Sequence, residues 1–172
     1  MPCILRQIRK AKWYKHSNVP WLNEGELQAD ALADLTTKDN TLSVWMLENE
    51  TLIERAATAL STNRDVLANF DYVVFDVHHL AALNIRVHES RGETPDEEVN
   101  AWHRDLIELS VQKIMGLAGV IQEHGRIERI LEKRLAHLIA QGITAKNIDP
   151  DKLSQGIQAK VMKLLTNESP RA

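Results

Sequence analysis

The longest periodic stretch of the chain, Thr94 to Gly125 (TPDEEVNAWHRDLIELSVQKIMGLAGVIQEHG), constrains the fold most, because it carries a helix start signal at one end and a stop signal at the other. Thr94 is placed to cap a first turn, Pro95 suits the first helical position, and Glu97 stands three residues after the cap, where its carboxylate can reach back to the Thr94 amide. Gly125 offers the left-handed backbone that ends many helices. The spacing therefore predicts one long helix. At 100° per residue, Val99, Trp102, Leu106, Leu109 and Val120 share one flank, and Ile107, Val111, Ile114, Ala118 and Ile121 share the next. The apolar arc is roughly 200° wide, broader than the stripe of a helix lying on a surface. Such a helix needs two partners, so the flank holding Ile121 is left for a neighbouring subunit. Glu98, Asp105, Glu108, Gln112 and Glu123 form the wet side, toward which Gly116 and Gly119 also fall.

A chain of 172 residues suits one domain, and we expect it to span 1–165, with a mixed α/β portion over 1–93, a helical portion over 94–165 and a flexible tail over 166–172. Hydrophobic residues at 44% and charged residues at 26% are ordinary for a globular protein, and a net charge of -3 supplies no general attraction to nucleic acid or anionic lipid. Any such binding has to come from a local patch. No apolar run reaches the roughly 20 residues that span a bilayer, and the N-terminus lacks the apolar core of a signal peptide, so a cytoplasmic protein is expected. The single Cys3 excludes an internal disulfide and a cysteine-based metal cluster within one chain.

The one strongly basic stretch follows Cys3–Leu5, which reads as an edge strand. Arg6, Arg9, Lys10, Lys12 and Lys15 occur with no acid among them, interleaved with Trp13 and Tyr14. Cations for phosphates and rings for stacking make this a candidate nucleic-acid contact. The competing reading is that the acids which follow, Asp30 and Asp34 among them, neutralise the stretch inside the fold, with Trp13, Tyr14 and Trp21 as core anchors.

Asn18 to Gly25 has loop chemistry, and Glu26 to Leu35 has Leu27, Ala31 and Leu35 at helical spacing. Thr41–Leu47 reads as a strand, Thr51–Leu60 as a helix and Tyr72–Phe75 as a buried strand, an order that suggests a crossover between two parallel strands. Ile85–His88 alternates as a further strand. Beyond Gly125, Arg126–Gln141 reads as a second helix with Gly142 as its stop, and Asp149 with Pro150 opens a third that runs to about Leu165. Arg134 lies in the apolar stripe of the second helix, where it has to snorkel or meet an acid.

The segment FDVHHL at the end of the buried strand is the best candidate for chemistry, since open α/β sheets place ligands beyond the carboxyl ends of parallel strands. Asp76 and His78, joined by a distant histidine such as His88, have the donor types of a divalent-metal site, and with His103 they are the candidate catalytic residues of a metal-dependent, hydrolase-like enzyme. His103 falls within the apolar arc, so it needs a hydrogen-bond partner there. Ser110, seven residues on, is about 10 Å along the helix axis and too far to form a nucleophile and base pair with it. No sequence motif identifies a cofactor, and neither a phosphate-cradling loop nor a dinucleotide fingerprint is present.

These features predict an α+β fold, a small mixed sheet from the N-terminal half packed against the long central helix and two further helices. The amphipathic faces are stronger signals than any reaction motif. The leading functional expectation is a non-enzymatic binding or assembly module that self-associates as a dimer through its helical half, with other protein partners also accommodated. The metal-dependent enzyme and the nucleic-acid binder follow as alternatives.

Overall fold

A computed structural model describes residues 1–13, 21–23 and 26–168, the side chains of 167 and 168 excepted. The described residues form six strands whose side chains alternate between the two sheet faces: β1 (Cys3–Gln7), β2 (Leu42–Leu47), β3 (Phe70–Asp76), β4 (Arg86–Glu89), β5 (His103–Ile107) and β6 (Arg126–Ile130). The helices are α1 (Ile53–Ser61), α2 (His78–Ala82), α3 (Glu97–Asn100), α4 (Val111–His124), α5 (Glu132–Thr144) and α6 (Gln155–Glu168), and a 3-10 segment covers Ala29–Leu35. The fold is α+β.

The strands form one sheet in the order β4-β5-β2-β1-β3-β6, with every neighbouring pair antiparallel. The sheet is therefore antiparallel rather than mixed. Strands β2 and β3 do run in the same direction, joined through α1, but β1 lies between them and bonds to both. Each sheet face has its own core. On one side Leu5, Leu47, Phe70 and Val74 pack with residues of α1, α5 and α6, among them Ala56, Leu60, Leu135, Ile139 and Ile157. On the other, Ile4, Val44, Val73, Phe75 and Leu106 pack with Trp13, Leu35 and the α4 residues Leu117 and Ile121.

The expected helix from Thr94 to Gly125 is instead α3, β5 and α4 in succession. Its first cap is Asp96, whose carboxylate accepts from the Glu98 and Val99 amides, while Thr94 is buried with its Oγ1 accepting from the Asp96 amide. After one turn the chain extends, because Leu42 to Trp45 of β2 and Arg86 to Glu89 of β4 supply β5 with partners on both sides. His103 is consequently a strand residue. The strand ends at Glu108, whose φ of 56° turns the chain in a conformation unusual for a side chain of this kind. Ser110 then starts α4 afresh, its side chain accepting from the Lys113 amide.

The same competition shortens the second expected helix: Arg126–Ile130 pairs along its whole length with β3, and α5 starts only at Glu132. Two strands thus come from the portion expected to be helical. Gly142 lies inside α5 rather than beyond it, against Ile148, whose Cδ1 would stand 2.7 Å from an added Cβ. The third expected helix divides into a 3-10 turn at Pro150–Lys152 and α6, which continues through the first residues of the expected tail. Arg134 meets an acid, Glu54, at 3.0 Å. Among the described residues no helix is long and apolar enough to cross a membrane.

Candidate functional site

Helix α4 is the element whose exposed side is hardest to reconcile with a surface meant for water. Its buried side is Leu117, Ala118 and Ile121. Ile121 is 1% exposed, so it belongs to the core of its own chain and not to an outer flank. By the helical period the opposite side carries Val111, Gln112, Met115, Gly119, Gln122 and Glu123. Val111 is 74% and Met115 54% exposed, and Glu123 is the one carboxylate on that side. The ammonium of Lys113 turns back to donate to the Glu108 carbonyl at 3.2 Å. Trp21, 70% exposed, stands beside this surface and with Leu27, Leu32, Met115, Gly119 and the polar Glu26 and Gln122 lines a cavity of 430 Å³. At Gly119 an added Cβ would meet nothing within 4 Å, so the helix backbone is open there to close approach.

The residues named for metal chemistry divide. Asp76 Oδ1 accepts from the His78 amide at 2.9 Å and lies 2.8 Å from His78 Nδ1, an arrangement that fixes the turn from β3 into α2. Those bonds hold the Asp76 carboxyl below its ordinary pKa. His78 stacks near His79 with ring centroids 3.9 Å apart, and His79 lies flat on His124 of α4 at 4.6 Å. Partial burial, helped by the two neighbouring imidazoles, lowers the pKa of His79. His88 is on β4, separated from β3 by three strands, so it does not join Asp76 and His78. Among the described residues no three histidine, cysteine or carboxylate side chains have a geometry that could hold a metal ion. The antiparallel sheet also removes the premise that β3 ends at a ligand-binding crevice between parallel strands.

His103 is buried, and that burial lowers its pKa, favouring neutral imidazole. Its Nδ1 meets Ser90 Oγ at 2.8 Å and its ring packs edge-on against Trp45 with centroids 4.8 Å apart. Ser90 was not visible as a partner in the sequence, since only the β4-β5 register brings it near. No carboxylate among the described residues bonds the other ring nitrogen, the role that orients the base in a hydrolytic triad. His88, opposite Asp105 on the same two strands, extends this polar sheet face.

The basic N-terminal stretch is tied to the segment that follows it, with Arg6 and Trp13 turned inward and the Arg9 side chain 72% exposed. Arg6 donates from Nε and Nη2 to the Asp34 carbonyl at 3.3 and 2.9 Å and from Nη1 to the Ser43 carbonyl at 2.5 Å. The Asp34 carboxylate accepts from the Arg9 amide at 2.7 Å and from Trp13 Nε1 at 2.9 Å. Lys12 reaches the Asp30 carbonyl at 3.2 Å, and the Lys10 amide donates to the Asp71 carboxylate at 2.9 Å. Trp13, 3% exposed, is a core anchor and presents no stacking surface. Tyr14 and Lys15 lie outside the described residues. No family model, curated protein or solved structure matches the chain.

Proposed function

We propose that this protein is a non-enzymatic assembly module that pairs with a second copy of itself along α4. The observation that carries the reading is the outward side of that helix, where Val111 is exposed, Met115 and Trp21 are exposed around a cavity that also holds Glu26, and Glu123 is the one carboxylate of the helix itself. Single exposed apolar residues are ordinary on a protein surface, but several grouped around a concavity mark an interaction site. The helix is also complementary to its own copy. When two α4 helices run antiparallel about a two-fold axis, Met115 of each comes opposite the open backbone at Gly119 of the other, and Gln112 comes opposite Gln122. A projecting side chain then meets a position with no side chain, on both halves at once.

Sedimentation equilibrium at micromolar concentrations tests this. The wild-type chain should give twice its 19.5 kDa mass, and Met115→Glu should give the single chain mass with an unchanged circular dichroism spectrum. A wild-type protein that stays at the single chain mass throughout that range overturns the reading.

A further inference from the structure

Strands β1 and β2 are paired from Cys3↔Leu47 to Leu5↔Trp45 and then diverge, and the gap between them opens into a cavity of 320 Å³ lined by Arg6, Arg9, Asp34, Ser43, Trp45 and Asn63 among others. The groups collected there are unusual in what they lack. Trp45 is only 8% exposed, yet its indole N–H is buried with no acceptor, the one such side-chain atom among the described residues. An unpaired buried donor costs roughly 1–3 kcal/mol, so a feature of this kind calls for a reason. Arg6 bonds only to backbone carbonyls, and three donated bonds leave two of its five N–H groups unused. The nearby Asp34 carboxylate is already engaged by the Arg9 amide and the Trp13 indole. Burial lowers the Arg6 pKa in spite of Asp34, the cost of a cation removed from water without full compensation. Arg9, 72% exposed in its side chain and 3.8 Å from Asp34, stands at the rim. Two guanidinium groups against one carboxylate leave a local excess of one positive charge.

We infer that this cavity is an anion site which takes a phosphate group, free or as a phosphomonoester. The unused N–H groups of Arg6 and the exposed fork of Arg9 supply donors around a space large enough for a tetrahedral oxyanion with the Trp45 indole in its wall, and guanidinium groups match its oxygens in geometry as well as charge. The site lies at the β1/β2 fork and is independent of pairing along α4.

The test follows the indole N–H signals of the four tryptophans by NMR of nitrogen-15-labelled protein, with Trp45→Phe assigning the signal of interest. Inorganic phosphate and phenyl phosphate are titrated separately, against sodium chloride at matched ionic strength. The Trp45 signal should move saturably with both phosphates and not with chloride, and the tighter of the two identifies the free or esterified form as the better ligand. Arg9→Gln changes an exposed side chain and should weaken binding about tenfold, as loss of a charge-assisted hydrogen bond predicts. No saturable shift with either phosphate, an equal shift with chloride, or an Arg9→Gln protein that binds as tightly as the wild type would each overturn the assignment.

Discussion

The two faces of the sheet are closed in different ways. Three helices cover one face, with α5 and α6 packed on each other and on α1, and their outer surfaces carry ion pairs such as Arg134 with Glu54 and Lys160 with Glu132. Where apolar groups are exposed there, as at Leu131 and Met162, they stand among Glu132, Lys133, Lys160 and Lys163. The other face is covered by α4 with the Ala29–Leu35 segment, and the outward side of α4 has almost no charge to hold it in water. One layer sets its exposed apolar groups, Val66, Leu131 and Met162, and a cavity of 730 Å³ beside Leu131 among charged side chains. The other ends on Val111, Met115 and Trp21, which is what a layer completed by a second copy would show.

The sharpest way to break this contrast is to move a charge across α4 from its outer to its inner side. Ile121→Glu buries a carboxylate beneath the helix and should cost about 4 kcal/mol or more, enough to lose the fold rather than to release a folded monomer, as circular dichroism and a denaturant midpoint would show. A folded, monomeric Ile121→Glu protein would mean that this side of α4 does not face its own core.

A smaller effect is expected on the three-helix side. Arg55 of α1 makes two hydrogen bonds to Asp96, at 2.7 and 2.9 Å, and the Asp96 side chain is only 2% exposed. Arg55→Ala leaves that carboxylate with its two helix-capping amides but no cation, and because Arg55 is itself partly exposed the expected loss is about 2 kcal/mol in urea unfolding. Oligomeric state should not change, since the pair lies far from α4 in the layered structure.

Acid titration sharpens the same side further. Glu97 bonds Lys152 and Arg91, and these partners bring its pKa from 4.5 down to about 2. The folded state binds its proton less readily than the unfolded state, so the contribution of Glu97 is fully present above pH 4.5 and is lost as pH falls toward 2. Replacing Glu97 with Gln should flatten the decline of stability across that window and leave the neutral-pH surface of α4 untouched. An unchanged acid limb in the variant would show that the link from α3 to the Pro150–Lys152 turn contributes nothing.

Local pattern made part of this architecture legible. The alternating, β-branched segments at 41–47, 72–75 and 85–88 are strands within a residue or two, and the helix after Thr51 is α1. Of the acids after the basic stretch, Asp34 meets it through its carboxylate, at the Arg9 amide and 3.8 Å from the Arg9 guanidinium, whereas Lys12 reaches only the Asp30 backbone carbonyl. What local pattern could not show was that Trp102 to Ile107 and Arg126 to Ile130 are strands, since neither alternates with a two-residue period and the choice is made by strands distant in sequence. The pairing of His103 with Ser90 and the placing of Arg6 and Trp45 in one cavity depend likewise on strand pairings, β4 with β5 and β1 with β2. For α4 a signal was available: over 14 residues its only Lys, Arg, Asp or Glu residues are Lys113 and Glu123, too few for a helix with one wet side.

Pairing along α4 is tested most directly by cross-linking between two single variants, Met115→Cys and Gly119→Cys, because the native Cys3 is buried and should stay inert. Positions 115 and 119 should face each other only between antiparallel copies, so mixing the variants under a mild oxidant should give a disulfide-linked mixed dimer faster than either variant alone. A Lys133→Cys protein on the three-helix side sets the background rate. Mixed dimer that forms no faster than that background, or no faster than each variant with itself, would contradict the pairing.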